Sequence, residues 1–343
     1  MINWIKNLLN RIEILFISLF TISYFAKYIL IGEYPYVPIL AFFFPIGLLI
    51  LVVYFAIKIF RIKQWKFKEW ILFIFLIYQG SSFFQISKAE HNDEALKVMT
   101  FNIKSLIHKS DLKREDNYND ISAFIKKEKP DIICLQETHW VDMTMLHPYG
   151  TKTKSTYSIS SKYPIINEGS FIIDQTKKHV RNIFADILYK QDTIRVYNLH
   201  LESYKFVKEN YEVINHLDDY LLDNKPGLLT GVLSTLKKIN YGYIAKGKQV
   251  SLIEKHIEAS PYPVIVCGDF NDISHSNAYY RISKGLNDSY KTKGQGFGGT
   301  MNTISMPLRI DYVLYSDAFH CLNHTVFREN LSDHQPILVE FIK

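Results

Sequence analysis

The stretch PVIVCGDFND, residues 263–272, runs through an unbroken apolar core and then turns abruptly polar. A short Val-, Ile- and Cys-rich run of this kind reads as a buried strand. Its far end carries Asp269 and Asn271. A strand end is a rigid place to hold a side chain at the rim of a core. The same construction recurs along the chain: Asn102 after VMTF, Glu137 after IICLQ, His200 after VYNL, Asp311 in RIDYVL, and the Asp333–His334 pair in LSDHQP. Taken singly, an Asp or Asn after a strand is a turn former, Glu137 a solvated terminus and His200 a structural histidine. Turn chemistry does not demand the ordered set, and such ends can converge on one cleft.

Outward from that stretch, strand-like runs alternate with helical patterns. Strands are expected at 97–103 (KVMTFNI), 131–138 (DIICLQET), 156–161 (TYSISS), 170–174 (SFIID), 183–189 (IFADILY), 193–201 (TIRVYNLHL), 309–316 (RIDYVLYS) and 336–342 (PILVEFI). Helical patterns cover 119–128, ahead of Pro130, and 203–259, with a break at Lys225, Pro226 and Gly227. This mixture predicts an α/β layered domain with mainly antiparallel sheets on one hydrophobic core. Cys134 and Cys267 lie inside apolar runs and read as buried small hydrophobes, and three cysteines make no disulfide framework.

Residues 1–87 are of another kind, dominated by Ile, Leu, Phe, Tyr and Val. Three apolar stretches, 14–31, 37–59 and 70–86, are candidate membrane helices, since a bilayer core needs about 20 helical residues. The second clears that length easily. The third is softened by Gln79, Gly80, Ser81 and Ser82. Lys6 and Arg11 precede the first stretch, and Lys58, Arg61, Lys63, Lys66 and Lys68 separate the second from the third; Glu33 lies between the first two. The positive-inside rule then places the N-terminus in the cytoplasm and, with three spans, everything after Ile86 on the extracytoplasmic face. The expected organisation is a transmembrane segment over 1–87, a linker over 88–94 and a catalytic domain over 95–343. Residues 1–87 hold eight Lys and Arg against three carboxylates, which leaves 32 against 31 in the remainder. The basic surplus thus belongs to the membrane part, and duplex binding, which draws on a basic face, is disfavoured.

In order, TFNI, QET, NLHLES, GDFND, RIDYVL and SDHQP resemble the successive motifs of the endonuclease/exonuclease/phosphatase superfamily, over roughly residues 95–343. The resemblance implies a four-layered α/β sandwich of two packed sheets flanked by helices. It implies a metal-dependent hydrolase that cleaves a phosphodiester by in-line attack of water, with Mg²⁺ as cofactor and Mn²⁺ as a possible substitute. Glu137 would be the metal carboxylate, with Asn102 and Asp333 beside the same ion; Mg²⁺ keeps several waters, so few protein ligands suffice. His334, oriented by Asp311, would act on the phosphate as base or cation. Asp269 would activate water or protonate the leaving oxygen, while Asn271, His200 and Asn102 would contact the substrate.

The substrate stays open: nucleic acid, nucleotide or phospholipid, with a sphingomyelinase-like lipid phosphodiesterase or a phosphomonoesterase as alternatives. CGDFND argues against the inositol polyphosphate phosphatases, which carry a GDLNYR-like signature. The insertion over 202–245 is where selectivity is expected, either as helices packed on the domain or as an element touching the lipid bilayer. The Gly-rich GQGFGG at 294–299 reads as a flexible loop near the site. A reading of another class, a catalytically silent membrane scaffold, conflicts with a site in which every main polar position is filled.

Overall fold

A computed structural model describes residues 2–29, 37–106, 114–138, 147–151, 156–171, 182–204, 228–302 and 308–343. Two sheets form the centre. The first has the order β13(His320–Val326), β14(Ile337–Ile342), β2(Leu96–Asn102), β3(Ile132–Gln136), β5(Ser158–Ser161), β4(Tyr149–Gly150). The second runs β10(Asn287–Asp288), β12(Asp311–Tyr315), β9(Val264–Asp269), β8(Asp192–His200), β7(Asn182–Tyr189), β6(Ile165–Ser170). Pairing is antiparallel except for β2 with β3 and β8 with β9. Each sheet therefore carries one parallel pair at its centre.

The period-two alternation of the strands builds the layers. Leu96 and Val98 of β2 face Ile194 and Val196 of β8 and Ile265 and Cys267 of β9 in a core between the sheets. Met99 and Phe101, on the opposite face of β2, pack on Ile121 and Ile125 of α4(Arg114–Glu128). Tyr197 and Leu199 of β8 and Val266 of β9 pack on Val250 and Ile253 of α5(Leu228–Glu258) and on α6(Asn277–Ile282). Strands buried on both faces read as continuous apolar runs, as they do here. The result is the four-layered sandwich, helix–sheet–sheet–helix. Cys134 and Cys267 are free and buried, as read from the sequence, and Cys321 is too.

Topology places the polar strand ends together. β2, β3, β8 and β9 run the same way across the sandwich, so their C-terminal ends share one edge. β12 is antiparallel to β9, with Asp311 opposite Asp269, and β14 is antiparallel to β2. The N-terminal ends of β12 and β14 consequently reach that same edge.

Some local expectations change. SFIID contributes only Ser170, which ends β6; Phe171 is outside the strand, and 172–174 lie outside the described residues. Of the helical region expected over 203–259, residues 203 and 204 are not helical, 205–227 lie outside the described residues, and α5 starts just past the expected break. The Gly-rich run is pinned rather than loose. Gln295 and Gly296 form β11, paired with β1(Gln85–Ile86), and Phe297 meets Phe84 edge-on with ring centroids 5.0 Å apart. Gly294 and Gly298 let the Tyr290 ring press against the backbone, where a Cβ would collide with it. Residues near the expected linker are fastened as well: Glu90 N donates to Leu322 O at 3.0 Å, and its carboxylate pairs with Lys293.

The apolar N-terminal part forms α1(Ile2–Phe25), α2(Phe43–Lys58) and α3(Phe67–Gly80), which meet around Phe20, Phe44, Leu48, Leu51, Phe55 and Leu76. Among the described residues one stretch, Ile39–Lys58, is long and apolar enough to cross a membrane by length and composition, and Ile14–Tyr28 is a shorter apolar helix. The third expected span reaches only Gly80 as helix, because Ser81 and Ser82 turn the chain.

Candidate active site

Asp269 is the hub of the polar edge. Gly268 precedes it with φ of +139°, and a Cβ there would lie 1.9 Å from Leu199 O. Only glycine fits so close to the neighbouring strand, which explains the G of CGDFND. The buried Asp269 side chain then turns into the edge. Its Oδ1 accepts from Asn271 N at 2.7 Å. Its Oδ2 accepts from Asn102 Nδ2 at 3.1 Å and Asn271 Nδ2 at 3.2 Å, and lies 3.4 Å from His200 Nε2 and 3.8 Å from His334 Nε2. Asn271 has φ of +48°, in the left-handed region that Asn tolerates better than most residues.

Around this hub the other ends close in. Asn102 Nδ2 also donates to Glu137 Oε1 at 3.3 Å, and His200 Nε2 is 3.7 Å from the same oxygen. Glu137, at φ of +55°, keeps its side chain 30% exposed, whereas Asp269 is closed off at 1%. Glu137 thus presents a carboxylate to the cleft. His334 Nδ1 lies 3.0 and 3.2 Å from the two Asp311 oxygens. Asp311 is itself set by Thr300, whose Oγ1 accepts from Asp311 N at 3.1 Å. Asp333 is placed differently: its Oδ2 is 2.6 Å from Lys104 Nζ, while Oδ1 accepts from Ser332 Oγ at 3.3 Å. Ser332 Oγ also donates to Asn102 O at 2.8 Å, which ties Asp333 to the end of β2.

The electrostatics divide the roles. Burial pushes the His334 imidazole toward neutrality, but Asp311, Asp269 and Asp333 outweigh it and lift its pKa to about 10. His334 is therefore an imidazolium at neutral pH. Burial raises the pKa of Asp269, as does the like charge of Asp311, against the pull of His334 and His200. For Asp333 burial acts upward, but His334 and Lys104 together hold it below the usual carboxylate range.

Asp269, Asp311 and His334 place one donor atom each within 4.8 Å of one another, close enough to suggest a metal site. His334 Nδ1, however, is already engaged by the Asp311 carboxylate at 3.0 Å. That trio is better described as an ion-paired relay. Glu137 fits a divalent cation better: it offers hard carboxylate oxygens partly open to solvent, and the Asn102 amide, whose Nδ2 donates to it while its Oδ1 accepts from Lys104 N at 3.0 Å, orients that carboxylate.

The structure thus gathers Asn102, Glu137, His200, Asp269, Asn271, Asp311 and His334 in one cluster of hydrogen bonds and close ion-pair contacts, with Asp333 adjoining it through Ser332. Sequence reasoning missed the supports. Tyr157 OH lies 3.0 Å from His200 Nδ1, and Asn182 Oδ1 accepts from His200 N at 2.9 Å. Gln136 Nε2 donates across the two sheets to Asn198 Oδ1 at 2.7 Å, and Asn198 Nδ2 donates back to Leu135 O and Ser158 O, each at 2.8 Å. Gln136 and Ser332 sit inside QET and SDH, so a signal for them existed. Lys104 and Tyr157 carried none.

A profile described as the Endonuclease/Exonuclease/phosphatase family matches residues 99–334. Similar solved structures include an endonuclease/exonuclease/phosphatase family protein from Bacteroides thetaiotaomicron, with 19% identity and TM-score 0.51 over 75% of this chain and 96% of that one. A mannosyl-6-phosphatase of Bacteroides thetaiotaomicron VPI-5482 shares 20% identity and TM-score 0.50 over 72% of this chain and 100% of that one. The human Nocturnin catalytic domain, solved with bound sulfate anion, shares 19% identity and TM-score 0.50 over 75% and 97%. At such identities the likeness is one of fold. No match to a curated protein sequence is found.

Proposed function

Since this chain belongs to the endonuclease/exonuclease/phosphatase family, whose members hydrolyse phosphoesters, we propose that it is a membrane-anchored, Mg²⁺-dependent phosphodiesterase. The observation that carries this reading is the convergence of strand ends from both sheets on Asp269 Oδ2, with an Asp311-paired imidazolium on one side and the partly open Glu137 on the other.

The Glu137 carboxylate would hold the cation, oriented by Asn102 Nδ2, with Asp333 adjoining on the Lys104 ammonium. When bound, it would polarise a phosphoryl oxygen and offset the charge that builds up on the phosphate. The chain's own groups do the rest. His334, already protonated, is a poor base and a good donor; its Nε2, 3.8 Å from Asp269 Oδ2, stabilises negative charge on a phosphate oxygen. Asp311 holds that ring's orientation and charge. Asp269, with its raised proton affinity, accepts a proton from the attacking water at Oδ2. His200 donates to the phosphate and keeps it in line with that water, while Asn271, whose Nδ2 donates to Leu201 O and Asp269 Oδ2, holds the base beside it. Cleavage leaves a phosphomonoester and an alcohol, whose oxygen takes its proton from solvent or from His334.

The N-terminal helices support the anchoring. Ile14, Leu15, Leu49, Ile57, Ile74 and Ile77 point outward although apolar, which is the arrangement of a lipid-facing bundle. Three spans would place the catalytic domain on the extracytoplasmic face; a C-terminal tag accessible to protease only after the cytoplasmic side is opened would contradict that. A phospholipid diester in the same bilayer is the second reading, favoured by these outward apolar faces.

The test uses the full chain in nanodiscs with Mg²⁺ or Mn²⁺, and chelator controls, against bis-(nitrophenyl) phosphate, nitrophenyl phosphate, plasmid DNA, RNA and sphingomyelin. Metal-dependent diester cleavage that is lost in His334→Ala and Asp269→Asn is expected. Full activity in both variants, or activity on the monoester alone, would contradict the reading.

A further inference from the structure

Beneath the catalytic loop lies a charge pair that the chemistry above does not use. Lys246 projects from α5 into the domain; its side chain and that of Asp272 are both 0% exposed, with Nζ 3.3 Å from Asp272 Oδ2. Nζ also donates to the carbonyl oxygen of Asn271. Tyr204 lies against the ammonium, its ring centroid 3.9 Å away, and Tyr243 at 5.8 Å. The enclosure is closed from the apolar segment by Phe42, whose ring centroid is 5.7 Å from that of Tyr204 and 5.9 Å from that of Tyr243.

A buried ion pair is a poor source of stability, because desolvating two charges offsets most of their attraction, and apolar replacements often serve as well. What this pair does hold is geometry. The carbonyl of Asn271 is fixed by Lys246 while its backbone sits at positive φ. Asn271 in turn grips Asp269 through both its backbone N and its Nδ2. Fixing the Asn271 carbonyl restrains the backbone at its Cα, and so the N–H and side chain of Asn271 that hold the Asp269 carboxylate. We propose that Lys246, with Asp272 as its counter-charge, is a positioning residue that holds Asp269 and Asn271 in reacting geometry. This rests on the reading of Asp269 as the group that takes the proton from water.

The two roles of Lys246, holding the fold and holding the loop, separate in a double variant. Lys246→Met alone strands the Asp272 carboxylate in the interior and should melt early. Lys246→Met with Asp272→Asn removes both charges while the amide can still accept from Ile273 N, as Asp272 Oδ1 does at 3.0 Å. Measured on the full chain in nanodiscs with bis-(nitrophenyl) phosphate, this double variant should melt within a few degrees of wild type. Its kcat should fall by about 10²-fold, the effect of a displacement on the order of 1 Å at a reacting group, while KM changes by less than about threefold. Should the pair not fold, Lys246→Met with Asp272→Leu fills the same volume with apolar atoms and is read in the same way. A folded double variant with kcat within about threefold of wild type would overturn the positioning role. Asp269→Asn, run alongside, separates the failures: if it is inactive while the double variant is not, only the role of Lys246 falls; if it is fully active, the reading of the site falls with it.

Discussion

Asp311→Asn isolates the charge on which the proposed role of His334 depends. The substitution keeps the shape of the side chain and removes its charge from a position 3.0 Å from His334 Nδ1. At that distance and an effective dielectric of about 20, two unit charges attract by about 5 kcal/mol before desolvation is counted. A charge-assisted hydrogen bond is worth about 1.5–3 kcal/mol net. Loss of about 3 kcal/mol from the transition state corresponds to a fall in kcat of roughly 10²-fold, and an amide that donates to Nδ1 imposes the wrong tautomer and deepens the loss. The pH dependence gives a sharper signature. With the Asp311 charge gone, burial pushes the His334 pKa down from about 10, and the alkaline limb of the rate profile should move toward neutral pH. The sign for stability agrees. Because the folded-state pKa of His334 is raised, its stabilising contribution is complete below about pH 6.5 and is lost as pH rises toward 10. Asp311→Asn should flatten that part of the curve by lowering Tm at neutral pH, where the raised pKa contributes, more than at pH 10, where it does not. The assay is metal-dependent hydrolysis of bis-(nitrophenyl) phosphate from pH 5 to 10, with thermal melts at each pH. An unmoved alkaline limb together with kcat within about threefold of wild type would refute the assignment of His334 as the oriented cation.

Three further perturbations test other parts of the site. Glu137→Gln keeps the acceptor for Asn102 but loses the charge, so half-maximal activation should need at least about tenfold more Mg²⁺ in a titration of rate against metal; an unchanged activation curve would place the ion elsewhere. Gly268→Ala puts a methyl group 1.9 Å from Leu199 O and should prevent accumulation of folded protein or lower its Tm by more than 10 °C, read by melting of the purified chain. Gln136→Ala removes the donor that spans the sheets and leaves Asn198 Oδ1 without it, at a cost of about 1–3 kcal/mol in denaturant unfolding, with kcat reduced far less than in Asp311→Asn.

Much of this site was legible because its residues sit at strand ends, and strand ends can be read from composition. Asn102, Glu137, His200, Asp269 and Asp311 each terminate or begin an apolar run, and the period of two along those runs is a local property that the chain carries with it. The metal assignment illustrates the limit. Asp333 was expected beside the ion, yet whether its carboxylate faces a cation or the ammonium of Lys104 depends on where the chain after Asn102 travels, and no local pattern encodes that. Lys246 shows the same limit: on α5 it reads as one more surface lysine, and only the stacking of that helix on the second sheet buries it against Asp272.

The sequence by itself determined most of the strands, their polar tips and the apolar helices at the N-terminus, because these follow from side-chain pattern along a single segment; the chemical class came from the resemblance of six ordered motifs to a known family. Tertiary structure alone decided that four strands run parallel to one another across the two sheets while β12 and β14 run back, which brings tips separated by up to 230 residues onto one edge. It alone decided the protonation of His334 as well. A pKa is set by the charges and the burial that surround a group in space, and neighbours along the chain supply only a small part of either.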